Sequence, residues 1–190
     1  VFSARIAKYM GLPIEKLFVA TNENDILFKS IMYGKMKINA VKKTYSPSMD
    51  IQISSNFERQ LFESVNRDTH KLNEIMKSFS NNGKYILNKE IIDDLLLVYS
   101  SSSVSNDDTL ETINYFKSKY NYLSDPHTAT GLNIMNKFEN LNFPHVSLAC
   151  AHPSKFDKAI KIATKIDLEY PEKIKKIFNK KEKISFLPNN

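Results

Sequence analysis

Four consecutive apolar residues, Leu17, Phe18, Val19 and Ala20, sit between two stretches patterned as helices. Before them, Ile6, Ala7 and Met10 fall at helical spacing over residues 3–10, and Gly11 and Pro13 supply a stop. After them, the polar cluster Thr21, Asn22, Glu23, Asn24 and Asp25 can cap a helix from about Ile26 to Tyr33. An apolar run without polar alternation is expected of a strand covered on both faces, the usual state in a parallel sheet. The order helix, strand, helix therefore points to an α/β fold, in which ligands gather outside the carboxyl ends of strands. Thr21 to Asp25 lie at such an end.

Further along, the pattern breaks up between Gly34 and Asp50. Ser46, Pro47 and Ser48 read as a turn, and Asp50 is placed to cap a long helix to about Val65. Its core face would be Ile53, Phe57, Leu61, Phe62 and Val65. Residues 68–80 carry a second helical stripe of Leu72, Ile75, Met76 and Phe79. A helix is expected from near Asn88, then a Ser-rich loop from Tyr99 to Asp108, then a helix capped by Asp107 or Asp108 through Leu110, Ile113, Phe116 and Tyr120. Thr128 to Phe138 is helical in pattern, with Ala129, Leu132, Met135 and Phe138 on one face. His145 to Ala149 reads as a second buried strand ending at Cys150.

Bulk properties narrow the function. With 190 residues, 42% hydrophobic and 25% charged, the chain has the composition of one folded, soluble domain. A net charge of +6 is compatible with nucleic-acid binding, but only three of the 27 basic residues are Arg, the residue that nucleic-acid sites favour. The densest run, Lys173 to Lys183, reads as the solvated face of an amphipathic helix within a basic tail over residues 166–190. Nucleic-acid binding is not expected. Cys150 is the sole cysteine, so no disulfide forms within the chain and a reducing, cytoplasmic setting is expected. The opening run Val1 to Met10 has neither a signal-peptide pattern nor a membrane span, and a first residue other than Met suggests a trimmed chain.

Generic chemical motifs are sparse. His127 and His152 each adjoin a Pro, where a structural or capping role is expected, and neither the cysteine count nor the His spacing suits zinc. Cys150 has no base assignable from sequence, so a buried packing role is expected. Asp93 and Asp94 read as solvated. Four scattered glycines form no phosphate-binding loop.

Four strings do carry a family resemblance: MGLPIEKLFVATNENDIL (Met10 to Leu27), SPSMDIQISSNFERQLFE (Ser46 to Glu63), YLSDPHTATG (Tyr122 to Gly131) and LACAHPSKF (Leu148 to Phe156). In order and spacing they resemble the carboxy-terminal half of threonine synthase, a pyridoxal-phosphate (PLP) enzyme of fold type II. The resemblance implies an α/β chain forming a partial fold-type-II large domain, residues 1–190, with helices around a mostly parallel sheet. Strands supplied by an amino-terminal half would leave an unpaired edge and an uncovered apolar face here, inviting dimerisation or poor solubility.

The family converts O-phosphohomoserine and water into threonine and phosphate. Its PLP is joined to a Lys and its phosphate held in a Gly-rich loop, both in the amino-terminal half. None of the 24 lysines here stands in a matching context. The expectation is a chain inactive alone, or else a non-catalytic remnant or interaction subunit that pairs with an amino-terminal half. Residues implied to line the cofactor are Cys150, where a Thr that contacts the pyridine nitrogen is usual, and Asn22 and Glu23 at the strand end. Ser48, Met49, Asp50 and Ser54 to Arg59 resemble another wall segment, or equally a capped packing helix.

Overall fold

A computed structural model describes residues 2–137, 144–178 and 180–188. The first helix, α1 (Phe2–Tyr9), leads into strand β1 (Leu17–Thr21) and helix α2 (Ile26–Tyr33). This is the helix, strand, helix order expected. α2 ends on Gly34, whose φ of 66° is left-handed and whose N–H caps the Lys29 and Ser30 carbonyls. Asp25 precedes α2 without a side-chain cap and instead pairs with Lys29 at 2.9 Å.

Beyond α2, β2 (Lys35–Lys37) pairs antiparallel with β3 (Lys84–Ile86). Between those strands lie α3 (Ser55–Ser64) and α4 (Thr69–Asn82), and after them α5 (Lys89–Val98), β4 (Tyr99–Ser103), α6 (Asn106–Tyr120) and α7 (Pro126–Lys137). The chain continues into α8 (Asp157–Thr164) and α9 (Glu172–Phe178). β1 and β4 form a parallel pair running from Leu17 opposite Tyr99 to Thr21 opposite Ser103. The connection between them runs from α2 to α5, whose last residue, Val98, leads directly into β4. The main core joins Val19 of β1 and Ile31 of α2 to Leu61 of α3, Phe79 of α4, Leu95 of α5 and Tyr99 of β4. A second cluster, Ile113, Ala129 and Ile160, fastens α6, α7 and α8 together.

Several expectations are corrected. The Ser-rich stretch from Tyr99 is a strand, because its hydroxyls find backbone partners: Ser101 Oγ donates to the Val19 carbonyl at 2.7 Å and Ser103 Oγ to that of Asn22 at 2.8 Å. Ser54, not Asp50, caps α3, since Asp50 is drawn into a tertiary network; Ile53 therefore precedes the helix and is 64% exposed. Ser105 caps α6 in a reciprocal box with Asp108, which sits at the third helical position rather than at the cap. α7 begins at Pro126, two residues early, and buries Ile134 rather than Met135. Phe138 lies outside the described residues.

His145 to Ala149 is not a strand. It pairs with no other strand among the described residues, and Val146 and Leu148 are 84% and 68% exposed. Cys150 is accordingly exposed, not packed. Asp94 is not simply solvated, for Ser64 Oγ donates to it at 2.7 Å. The basic run is helical over α9 and solvated, but Ile177 and Phe178 are exposed with it, so its apolar side packs on no core.

Candidate active-site wall

The carboxyl ends of β1 and β4 open onto two polar assemblies. In the first, the buried Asn22 amide nitrogen lies 2.8 Å from Thr44 Oγ1, 3.0 Å from Ser46 Oγ and 2.8 Å from Asp50 Oδ1. Asn24 Nδ2 also donates to Asp50 Oδ1, at 2.9 Å, and Thr44 donates through its hydroxyl at 2.6 Å and its N–H at 3.0 Å. Asp50 is thus a fully engaged acceptor that ties residues 44–50 to the end of β1. Glu23 points the other way: its Oε1 accepts the Asn106 N–H at the start of α6 at 3.1 Å, and its Oε2 lies 3.6 Å from Lys42 Nζ. A carboxylate there suits the positive end of the helix dipole.

The second assembly surrounds Asp125, which precedes Pro126 and caps α7. Its Oδ1 accepts the His127 N–H at 2.9 Å and faces His127 Nδ1 at 3.0 Å; its Oδ2 accepts the Thr128 hydroxyl and, at 3.2 Å, the Ala151 N–H. His127 Nε2 accepts the Ser48 N–H at 3.2 Å, which assigns the ring proton to Nδ1. The ring packs against Phe156 at a tilt of 57°, with centroids 4.8 Å apart. Thr128 Oγ1 in turn accepts the Cys150 N–H at 2.8 Å. Burial on its own would raise the Asp125 carboxyl, but the bonds from His127, Thr128 and Ala151 outweigh it and hold the group down to about 2.

Residues 46–49 bridge the two assemblies, because Ser46 meets Asn22 and Ser48 meets His127. A continuous polar chain therefore runs from Asn22 through this turn to His127, Asp125, Thr128 and Cys150. Of the three residues singled out by sequence, Cys150 is exposed, with its Sγ 3.6 Å from the Leu148 carbonyl and in contact with the Thr128 hydroxyl. Burial of its surroundings and then the Asp125 charge raise the thiol above its ordinary value, against an opposite effect of Thr128, so it stays S–H at neutral pH. Asn22 is spent within the wall, and Glu23 is partly exposed beside it.

Asp125 and Thr128 were missed by sequence reasoning. The available signal was Asp before Pro at a helix start. His152 does cap, its Nδ1 accepting the Ser154 N–H at 3.2 Å. Among the described residues, no cluster of His, Cys, Asp and Glu suits a metal ion, and no helix is long and apolar enough to cross a membrane.

The family model described as "Threonine synthase, C-terminal" matches residues 128–190. Threonine synthase of Saccharomyces cerevisiae is 38% identical across 98% of this chain and 41% of its own length; that of Pseudomonas aeruginosa is 34% identical across 100% and 41%. A crystal structure of PLP-bound threonine synthase from Brucella melitensis superimposes with a TM-score of 0.92 at 38% identity, covering 98% of this chain and 40% of that one. The yeast enzyme's structure does so at 0.87 and 36%, covering 97% and 41%.

With a parallel pair flanked by helices and polar walls at its carboxyl end, the architecture is that of part of a fold-type-II PLP enzyme's large domain. More narrowly, the chain belongs to the threonine synthase family and matches its carboxy-terminal part. It spans about two fifths of the length of those relatives.

Proposed function

We propose that the chain supplies one wall of the PLP site of a threonine synthase acting on O-phosphohomoserine. The observation that carries this is the Cys150 thiol, exposed on a segment docked against α7. Its chemistry fits the pyridine nitrogen of the cofactor. The Asp125 carboxylate nearby is consumed by His127, Thr128 and Ala151, so a neutral S–H, not a carboxylate, is what the ring would meet. When bound, PLP supplies an electron sink. Cys150 would orient the ring through its nitrogen, the Ser46–Met49 turn would form a neighbouring wall, and Asn22 and Glu23 would fix that wall to β1 and α6. A thiol is a weaker hydrogen-bonding partner than the usual Thr hydroxyl, which weakens this contact.

Reconstitution tests the reading. This chain is mixed with the amino-terminal three fifths of the yeast relative, PLP and O-phosphohomoserine. PLP-dependent phosphate release by the mixture, with none from either part alone, is the expected result. Release by this chain alone, with one of its own lysines trapped on PLP by borohydride, would overturn it.

A second reading is a non-catalytic subunit that pairs with an amino-terminal half. It is favoured by the exposure of Val146 and Leu148 on a segment with no strand partner among the described residues. A stable complex on sizing chromatography that releases no phosphate supports it over the first.

A further inference from the structure

Thr128 and Gly131, three residues apart, share one face of α7, and Asp125 caps that helix three residues before Thr128. Each meets the segment that carries Cys150. The Ala151 N–H reaches Asp125 Oδ2 at 3.2 Å, the Cys150 N–H reaches Thr128 Oγ1 at 2.8 Å, and a Cβ added to Gly131 would lie 2.9 Å from Ser147 Oγ. Residues 145–150 have no ladder partner among the described residues and expose their apolar side chains, so these contacts are what locate them.

The same carboxylate also faces the opposite way. Oδ1 serves His127, and His127 Nε2 takes the Ser48 N–H of the Ser46–Met49 turn. Because its oxygens already accept from His127 N–H, His127 Nδ1, Thr128 N–H, Thr128 Oγ1 and Ala151 N–H, Asp125 has no lone pair directed at a ligand. Its contribution has to be geometric.

We infer that Asp125 and Thr128 are positioning residues, which from the start of α7 set the Cys150 thiol on one side of the site and, through His127, the Ser48 turn on the other. The inference deepens the PLP reading and rests on it. Asp125 fixes two walls that are 103 residues apart in sequence, Ser48 lying 77 residues before Asp125 and Ala151 26 residues after it. A shift of α7 would move both walls together, so their separation is preserved.

The sole cysteine makes the test direct. In the full 190-residue chain, Thr128→Val keeps shape and removes the acceptor, while Thr128→Ser restores it. Three quantities are followed: amide exchange at Cys150 and Ala151, the pH dependence of Cys150 reaction with an aromatic disulfide, and, in the mixture with the amino-terminal three fifths of the yeast relative, shielding of that thiol by pyridoxine 5′-phosphate, which has no aldehyde to react with lysines. Thr128→Val is expected to speed Cys150 exchange roughly fivefold or more. It is also expected to raise the thiol midpoint, since the Thr128 hydroxyl that lowers it is gone, and to weaken shielding; Thr128→Ser returns all three. Asp125→Asn, near-isosteric but offering N–H to the Ala151 N–H, should release Ala151 likewise and guards against a misfolded Val variant. Exchange and titration unchanged in both Thr128→Val and Asp125→Asn would overturn the inference. Wild-type protein with the expected exchange and titration but no shielding in the mixture with the amino-terminal part supports the anchoring and overturns the cofactor reading instead.

Discussion

The Asp125 carboxylate and the Ala151 amide, 26 residues apart in sequence, are joined by a 3.2 Å hydrogen bond. Linkage gives this bond a pH signature. Asp125 is held near 2 in the fold against an ordinary 3.8, so its contribution is complete above the ordinary value and is lost as pH falls through the folded one. At ~1.4 kcal/mol per unit, the stabilisation is about 2 kcal/mol. Urea unfolding of wild type and Asp125→Asn should differ by about that much near neutrality, with the gap narrowing from about pH 4 and closing near about pH 2. A gap that stays constant down to about pH 2 would contradict the assignment.

Tyr99 makes the corresponding link inside the main core. Its hydroxyl donates to Gln60 Oε1 at 2.7 Å; Gln60 Nε2 donates to Ser64 Oγ at 3.2 Å, and Ser64 donates to Asp94 at 2.7 Å. This file of donors stitches β4 to α3 and α5. Burial pushes the phenol up to about 12. Tyr99→Phe leaves a buried acceptor unpaired and is expected to cost about 1–3 kcal/mol by chemical denaturation. Alkaline absorbance titration should show a late component near 12 that this variant removes.

Elements with a strong local signal were legible in the sequence: the Leu17–Ala20 run became β1, and the helices expected over residues 68–80 and from near Asn88 are α4 and α5, which the structure caps with Asp68 and Asn88. What escaped was decided by partners far along the chain. Four serines in a row carry no strand pattern, and only the Val19 and Asn22 carbonyls of β1 make a strand of them. Asp50 has the chemistry of a cap, yet Asn22, Asn24 and Thr44 claim it first. The candidate site was half readable on the same grounds. Cys150, Asn22 and Glu23 came from family strings and a strand end, whereas the roles of Asp125 and Thr128 depend on a contact with residues 150 and 151 that no local pattern announces.

The cap of α6 offers a local check. Ser105 Oγ accepts the Asp108 N–H at 3.1 Å, and the Asp108 carboxylate reaches back to the Ser105 N–H at 3.4 Å. Ser105→Ala should lower stability by about 1 kcal/mol, and Asp108→Ala by a similar amount. Because the two halves share one motif, the double variant should cost less than the sum of the single ones. Strict additivity in a double-mutant cycle would show that the halves act independently.

Two glycines separate backbone strain from crowding. Gly34 and Gly83 both end helices in the left-handed region, at φ 66° and 63°. At Gly83 an added Cβ meets nothing within 4 Å, so Gly83→Ala should cost only the conformational penalty of about 1 kcal/mol. At Gly34 the added atom would lie 2.4 Å from Ile92 Cδ1 and 3.3 Å from the Leu87 carbonyl. Gly34→Ala should therefore cost about 1–3 kcal/mol more than Gly83→Ala, because α5 has to shift or Ile92 has to leave its rotamer. Ile92→Val, which deletes Cδ1, should recover part of that excess in the Gly34→Ala background while destabilising the wild type. Equal losses at the two glycines, measured by denaturant unfolding, would show that Ile92 does not press on this turn.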